Sequence, residues 1–275
     1  MPEDDVRRDA LGVVHPVAGA DARIVSLVPS LTELLFALGL GPQIVGRTGF
    51  CIHPRDSVRH VTKVGGTKDV DLHKVVALAQ THLVVNIDEN RRETVDALAD
   101  SIAHVIVTHP LTPDDNPGLY RMFGSIFGRE RQADALATRY GAAREALVGS
   151  LAGVPDEDVL YLIWRKPWYT VARSTYVSAM LALARWRTLP AQSQSRYPTL
   201  ADDAPLWRQA QRVLLSTEPY AFRQRDASAL ALTLASGGNR VPVTLIDGAM
   251  TSWYGVRAIA GLDYLAKMRL SLTAQ

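Results

Sequence analysis

The sequence has very little cysteine. Among its 275 residues there is only Cys51, so no intrachain disulfide can form. It also has no excess of charge of one sign, because 30 basic and 28 acidic side chains leave a formal net charge of +2. This balance argues against a general attraction to nucleic acid or to anionic membranes. No run of 18 apolar residues occurs, so we expect no membrane-spanning segment.

Common catalytic and nucleotide-binding motifs are missing as well. The patterns GxGxxG, GxxxxGK[ST], HExxH and GxSxG do not occur, which weakens nucleotide-binding, metallopeptidase and hydrolase interpretations. Residues 1–22 contain early acids and no apolar stretch of signal-peptide length. The sequence as written therefore predicts a cytoplasmic protein, whereas a removed leader would make it periplasmic.

Short apolar runs alternate with helical patterns along the chain. The runs typical of buried strands lie at 23–28, 43–46, 82–86, 104–107, 159–163, 212–216 and 243–246. Helical patterns lie at 31–40, 71–79, 90–100, 175–183, 227–234 and 258–270. Ser30 and Glu33 fit a capping box at the first of these helices. The alternation favours parallel sheets that are covered on both faces.

One long helical pattern interrupts this alternation. It starts at Asn116-Pro117, continues to about residue 151, and would form a helix about 50 Å long. We predict an α/β fold of two lobes with parallel central sheets, joined by one long backbone helix, with a ligand cleft between the lobes. The predicted segments are an N-terminal extension (1–22), an N-terminal lobe (23–115), the linking helix (116–152) and a C-terminal lobe (153–275).

Aromatic residues follow the strands of the second half. All five tryptophans lie at or after position 164, and ligands of open α/β sheets bind beyond the carboxyl ends of the strands. A large flat ligand needs such aromatic faces, and interleaved basic groups suit its anionic parts. The predicted ligand contacts here are Trp164, Arg165, Lys166, Trp168, Glu218, Tyr220, Trp253, Tyr254 and Arg257, with Phe222 in the same cluster. The alternative is that the aromatic rings cap the core of their own lobe.

The first half offers weaker signals. Glu89, Asn90 and Arg91 begin a predicted helix, where they either contact a ligand or form an ordinary N-terminal cap region. Cys51 and His53 are too few to hold a metal ion, and no orienting acid supports them as a nucleophile pair. We therefore predict no metal site and no catalytic residue, with Cys51 as a buried small side chain.

Two stretches of the first half resemble a known family. RIVSLVPSLTELLFALGLGPQIVGRTGFCIHP and VGGTKDVDLHKVVALAQTHLVV resemble periplasmic binding proteins for cobalamin and ferric siderophores, which are helical-backbone metal receptors. A leaderless subgroup shares FCIHP, GGTKD, YLIWRKPW and DGAMTSWYGVR. The resemblance implies two lobes, a rigid linking helix and one metal-chelate or corrinoid-like ligand of the cobalamin, siderophore or haem type. It implies no covalent cofactor.

The resemblance also implies particular site residues. Phe50 and Tyr197 fall at aromatic positions that line the cobalamin cleft. Thr67 replaces a tryptophan of the cobalamin binder, and Lys68 beside it suits a more anionic ligand. Members that serve a transporter have one acid per lobe for docking onto an ABC permease. Asp203 matches one of these acids, but His73 stands at the other position, which argues against a permease partner.

Three functions therefore remain open. The first is a ligand-binding protein that does no chemistry. The second is an enzyme acting on a chelate or corrinoid, with acid–base candidates Lys68, Glu89, His53, Glu218 and Asp247. The third is an ABC-transporter substrate-binding component without its leader. The sequence also leaves open whether Trp186, between Arg185 and Arg187, is a packing or a surface residue.

Overall fold

The computed structural model describes residues 3–99 and 101–273. Contacts between residues divide the chain into two units. The first unit contains the chain up to Pro110, together with Asp114–Gly141 and Tyr254–Arg257. The second contains Leu111–Pro113, Ala142–Trp253 and the chain from Ala258 onward. Separate hydrophobic clusters fill the interiors of the two units.

The first unit is built on a parallel sheet. Its strands are β1 (Ile24–Ser26), β2 (Ile44–Arg47), β3 (Thr62–Lys63), β4 (His82–Asn86) and β5 (His104–Thr108). Its helices are α1 (Glu3–Val6), α2 (Pro29–Ala37), α3 (Arg55–Val58), α4 (Leu72–Ala77), α5 (Arg92–Ala99) and α6 (Asn116–Ile126). Within the described residues the strand order is β3-β2-β1-β4-β5. All five residues of β4 are buried, as expected for a strand covered on both faces.

The start of α2 differs from the predicted capping box. Val28 is the N-cap residue and makes no side-chain cap bond, and Pro29 opens the helix. Proline at this position has no N–H that would need a hydrogen-bond partner, so a side-chain cap would add little stability to the helix. Glu33 instead accepts two hydrogen bonds from Arg257, both of 2.8 Å. The prediction that Ser30 and Glu33 cap the helix is therefore wrong.

The long helical pattern forms two helices rather than one. After α6, the next helix, α7, covers Glu130–Ser150. Gly128 separates them with a φ of 62°, a left-handed conformation that glycine adopts without steric cost and that ends an α-helix. The 21 residues of α7 are about 30 Å long. The helix that passes from the first unit into the second is therefore α7, and the prediction of one helix over 116–151 is too long.

The second unit has a mixed sheet. Its strands are β6 (Glu157–Trp164), β7 (Trp168–Thr170), β8 (Trp186–Thr188), β9 (Thr199–Leu200), β10 (Arg212–Ser216) and β11 (Val243–Ile246). Its helices after α7 are α8 (Tyr176–Leu183), α9 (Leu206–Gln209), α10 (Gln224–Ser236), α11 (Gly248–Ser252) and α12 (Arg257–Thr273). In the described chain the order is β11-β10-β6-β7-β9, with β8 also beside β6. The central pairs β6–β10 and β10–β11 are parallel, as predicted, whereas β7 is antiparallel to β6 and β9 at this edge.

Trp186 is a packing residue. Its side chain is fully buried, and its indole N–H donates to a carboxylate oxygen of Glu157 at 2.8 Å. The guanidinium of Arg269 lies 5.5 Å from the centre of the indole ring. The sequence alone left this residue between packing and surface roles, and the structure assigns it to packing.

Within the described parts of the chain, no helix is both long enough and apolar enough to cross a bilayer.

Candidate functional site

Three large apolar side chains are exposed where strands of the first unit end. Phe50 and Ile52 follow β2 and are 63% and 51% exposed, and Ile87 follows β4 and is 45% exposed. Phe50 lies against the turn at Gly66, where an added Cβ would be 3.4 Å from the phenyl ring. We call these loops after β1 to β4 the first rim. Sequence reasoning found Phe50 through the resemblance but missed the two isoleucines, although each follows an apolar strand.

Basic side chains lie on the same rim. Lys68, in the loop after β3, is exposed. Arg91, after β4, is also exposed and lies 3.6 Å from the carboxylate of Asp69. Both side chains can contact anions in solution. The ion pair of Arg91 with Asp69 does not prevent this, because exposed ion pairs are weak. Asn90 is different: it is buried, and its amide nitrogen donates to the carbonyl oxygens of Leu27 and Thr67. The structure thus places Asn90 as a support of the rim.

Two predicted contacts, Tyr254 and Arg257, belong to the first unit rather than to the lobe in which the sequence placed them. The Tyr254 hydroxyl donates to Glu89 at 2.6 Å. Burial raises the pKa of Tyr254 well above its ordinary value, and the Glu89 carboxylate beside it adds to the shift, so the phenol keeps its proton. Arg257 forms the two-bond pair with Glu33 described above. These contacts fasten residues 254–257 to the first unit.

Cys51 and His53 do not form a reactive pair in this structure. Cys51 is buried, and its sulfur lies 3.1 Å from the hydroxyl oxygens of Thr32 and Thr48. Burial raises the pKa of the Cys51 thiol, which keeps it protonated and unreactive. Burial also lowers the pKa of His53, and the nearby charge of Arg257 lowers it further. Among the described residues no group of three His, Cys, Asp or Glu side chains is placed to hold a metal ion.

The second unit has a continuous aromatic cluster. The ring of Trp164, at the end of β6, contacts Tyr220 edge-on with centroids 5.4 Å apart. Tyr220 contacts Phe222 at 4.5 Å, and Phe222 stacks on Trp168 at 6.1 Å. Trp168 in turn meets Trp207 at 5.8 Å. The sequence predicted that the post-strand aromatics gather, and these do, but the cluster runs from solvent into the core.

The two ends of this cluster differ in exposure. Trp164 is 42% exposed, whereas Phe222 and Trp207 are buried. Trp168 is half-buried, and its indole N–H donates to Asp202 at 2.9 Å. The structure therefore places Trp168 and Phe222 mainly in packing roles. Trp164 is the exposed ring of the cluster, with the partly buried Tyr220 against it, and we call the loops after β6 and β10 that contain them the second rim.

Polar groups surround the second rim. Arg165 pairs with Asp226 at 2.9 Å, and Lys166 is exposed. The Glu218 carboxylate accepts hydrogen bonds from the Trp253 indole and the Ser252 hydroxyl. Trp253 is thereby held beside Glu218 at the start of the loop after α11.

A buried hydroxyl network supports this arrangement, and sequence reasoning missed it. The Tyr161 hydroxyl donates to Ser216 at 2.9 Å and lies 2.6 Å from the Thr251 hydroxyl oxygen. Ser216 in turn donates to the carbonyl oxygen of Glu218. Burial raises the pKa of Tyr161, so it acts as a neutral donor. A tyrosine inside an apolar strand was the available signal, because a buried phenol requires a partner.

Tyr197 lies in the second unit, in the segment between β8 and β9. It is 40% exposed, and the segment around it pairs with the outer edge of β7 through Arg196 and Pro198. The guanidinium of Arg196 lies 5.9 Å from the centre of its ring. Its exposure is compatible with the aromatic role that the resemblance implies.

Two surface cavities lie within the first unit. One, of about 400 Å³, is lined by Ala18, Pro42 and Phe127 among others. The other, of about 540 Å³, is lined by Asp5, Arg8 and Val107 among others. Neither includes a predicted ligand contact, so the open rims define the candidate site.

Exposed aromatic rings with basic neighbours, on loops that follow the strands of α/β units, define a small-molecule-binding protein. Comparison with known proteins agrees. The profile of the periplasmic binding protein family matches residues 24–233. The chain belongs to this family, whose members bind ligands, and it is a binding protein rather than an enzyme. The resemblance found in the sequence is thereby confirmed.

Individual relatives point the same way. The vitamin B12-binding protein of Pectobacterium carotovorum is 21% identical over 255 residues, which cover 91% of this chain and 89% of the relative. An uncharacterised ABC transporter substrate-binding lipoprotein of Bacillus subtilis is 27% identical over 260 residues, covering 89% and 79%. The periplasmic haem-binding protein RhuT of Roseiflexus has a TM-score of 0.79 at 21% identity, covering 93% and 100%. This structural match confirms the predicted α/β binding-protein fold.

Proposed function

We propose that this protein binds one small metal chelate or tetrapyrrole, of the haem, siderophore or cobalamin type, through exposed aromatic rings on its loops. The observation that supports this proposal most directly is the exposure of three aromatic rings: Phe50 is 63% exposed, Trp164 42% and Tyr197 40%. Large aromatic side chains bury much apolar area on contact with a flat ligand and lose little side-chain entropy. Two of the relatives named above support this ligand class, because one is a vitamin B12-binding protein and the other is a haem-binding protein.

Titration calorimetry on the full chain tests the proposal. Haem, cyanocobalamin and a ferric hydroxamate siderophore are the probes, and a one-to-one complex with at least one of them is expected. Trp164→Ala should weaken that complex by about 1–3 kcal/mol, or about 5- to 150-fold, because the indole face is lost. Trp164→Phe should retain most of the affinity.

Leu232→Ala provides a matched control. Leu232 lies on α10 and is 71% exposed, more than any of the rings above, yet it is not on a rim. Its replacement should leave the affinity unchanged. If Trp164→Ala binds as well as the wild type, or if none of the three probes binds, the proposal fails.

Exposed basic side chains of the first rim, rather than its net charge, support an anionic ligand. Lys68 and Arg91 are both exposed there, and Lys166 is exposed on the second rim. Haem has two carboxylates and many siderophore complexes are anionic, whereas the side groups of cobalamin are mostly neutral amides. We therefore expect haem or an anionic chelate to bind more tightly than cobalamin. Lys68→Gln should weaken the preferred ligand and reduce the dependence of affinity on salt.

A second candidate function is that of an ABC-transporter component, as in the Bacillus subtilis relative. Asp203 and His73, at the two positions that the resemblance assigns to docking, are both exposed. A permease and an ATPase encoded beside this gene would favour this function. In proteoliposomes, the loaded protein should then stimulate ATP hydrolysis, and Asp203→Asn should reduce the stimulation. The cytoplasmic location predicted from the sequence stays a prediction.

A further inference from the structure

The N-terminal strap, residues 7–18, lies along the outer edge of β5. The amide of Ala10 donates to the carbonyl oxygen of Val107 at 2.9 Å. The amide of Val107 donates back to the carboxylate of Asp9 at 3.1 Å. Further along, the amide of Ala18 donates to the carbonyl oxygen of Ile126 at 2.7 Å. The strap thereby covers a strand edge that would otherwise be open to pairing with another chain.

Polar contacts, rather than apolar burial, hold the strap in place. Its large apolar side chains face solvent: Leu11 is 65% exposed, Val13 50% and Val17 57%. Hydrophobic stabilisation is proportional to the apolar area removed from water, so these residues contribute little. Release of the strap therefore depends mainly on its hydrogen bonds.

Asp9 is the centre of these hydrogen bonds. Its buried carboxylate accepts from the amides of Leu11 and Val13, at 2.9 and 3.0 Å, and lies 3.2 Å from Nε2 of His15. Burial raises the pKa of Asp9, but the bonds from His15 and from three backbone amides outweigh it and lower the pKa overall. The carboxylate is thus ionised whenever the strap is closed.

Three histidine rings lie together beneath the strap, and we call them the histidine stack (His15, His104 and His82). The rings of His15 and His104 have centroids 6.5 Å apart, and those of His104 and His82 are 4.8 Å apart. His82 and His104 are cross-strand partners at the first residues of β4 and β5. The stack is therefore at the edge of the sheet opposite to the first rim.

The surroundings of His82 disfavour a positive charge. Nδ1 of His82 is 2.7 Å from the Thr81 hydroxyl oxygen, and the Phe127 ring contacts the imidazole edge-on. Asp9 contacts the stack only through His15, and the guanidinium of the adjacent Arg23 is directed to backbone carbonyls. Burial, together with the charges of His104 and His15, lowers the pKa of His82 to about 4.

We propose that the histidine stack is an acid-sensitive lock, in which proton uptake releases the N-terminal strap from the edge of β5. The open strap gives the imidazoles access to water and separates His15 from the other two rings. Proton uptake by His82 is disfavoured while the strap is closed, so opening is the change that accommodates the added proton.

The direction of the pH effect follows from His82. Its pKa is about 4 with the strap closed and has an ordinary value of about 6.5 when the ring is hydrated. The open form therefore binds more protons, and the closed form is fully favoured above pH 6.5 and loses that advantage as the pH falls towards 4. Between pH 7 and pH 5 the opening constant of the strap should increase about 20-fold from this group alone.

Hydrogen exchange of the full chain, followed by mass spectrometry, measures this opening. Exchange of the strap peptide at pH 7 and pH 5, corrected for the intrinsic pH dependence of the chemistry, gives the opening constant. The wild type should show the increase of about 20-fold. His82→Gln, which keeps a polar side chain but cannot titrate, should reduce it to a few-fold.

His73→Gln is the matched control, because His73 is an exposed histidine on α4 in the same unit. It should retain the wild-type increase. Asp9→Asn, which keeps all three histidines, should open the strap already at pH 7. The proposal is overturned if the strap opening does not change with pH, if His82→Gln keeps the full increase, or if Asp9→Asn leaves the strap as protected as in the wild type. It is also overturned if strap and β4 peptides exchange together at pH 5, since that is unfolding of the whole unit.

Discussion

The carboxylate of Glu157 shows how much a single side chain can hold together in the second unit. One oxygen accepts from Nε of Arg212 at 3.1 Å, and the other from Arg269 and from the Trp186 indole, each at 2.8 Å. Arg269 is almost fully buried. Burial lowers the pKa of Arg269, and the charge of Glu157 opposes this shift.

Replacing this carboxylate should be costly. Glu157→Gln preserves the shape but leaves the buried Arg269 and the partly buried Arg212 without their shared carboxylate, and we expect a loss of about 3–5 kcal/mol in the free energy of unfolding. Urea unfolding followed by tryptophan fluorescence measures the loss. Asp158→Asn is the control, because its partner Arg187 is half-exposed and such pairs contribute about 0–1 kcal/mol. Equal losses in the two variants would contradict this account.

At the scale of elements, two helical glycines occupy opposite environments. Gly261 lies in α12, where an added Cβ would overlap the carbonyl oxygen of Met250 and come within 2.9 Å of the Met180 side chain. Gly141 lies in α7 with no atom within 4 Å of such a Cβ. The first glycine permits close packing of α12 on α11 and α8, and the second has no such role.

Alanine substitutions should therefore have opposite effects. Gly141→Ala should raise the free energy of unfolding by about 0.5–1 kcal/mol, since alanine loses less backbone entropy in a helix. Gly261→Ala should lower it by about 1–3 kcal/mol, because α12 must move away from Met250. Thermal unfolding of both variants beside the wild type provides the measurement. A stabilised Gly261→Ala would show that the close approach is easily relieved.

Elements with a strong pattern could be predicted from the sequence, and elements without one could not. The bounds predicted for β4 and β10 agree with the structure. Both strands have continuous apolar runs, because a strand buried on both faces needs apolar residues at successive positions. Strands β3, β7, β8 and β9 have only two or three residues each, which is too short to show a periodic pattern of apolar side chains. Gly128 could be recognised from the sequence as a residue that weakens a helix. Only the tertiary structure decides whether such a glycine ends the helix.

The candidate site was predictable to a similar degree. Residues that follow long strands, such as Trp164 and Tyr220, were found at a strand end as expected. Burial was not predictable, because aromatic loops serve equally as ligand contacts or as core caps. Trp168 and Asn90 turned inward, since each had a polar partner inside its own unit.

For the whole molecule, the tryptophans allow the units to be observed separately. All five lie in the second unit, so their fluorescence reports on that unit alone. Leu83→Ala and Leu215→Ala each remove a fully buried side chain, one from each core, and each should cost about 2–5 kcal/mol. Because α7 is shared by both units, we expect Leu83→Ala to shift the fluorescence midpoint in urea as well. A wild-type fluorescence curve for Leu83→Ala would show that the units unfold independently.

The assignment of Tyr254–Arg257 to the first unit has a consequence for synthesis on the ribosome. Domains of a multidomain chain generally fold one after another, the N-terminal one first, as they leave the exit tunnel. Here the first unit still lacks the Arg257 partner of Glu33 until most of the second unit has been translated. Its final assembly must therefore wait for that synthesis, and a nascent chain stalled before residue 254 would expose an unfinished first unit to chaperones and proteases.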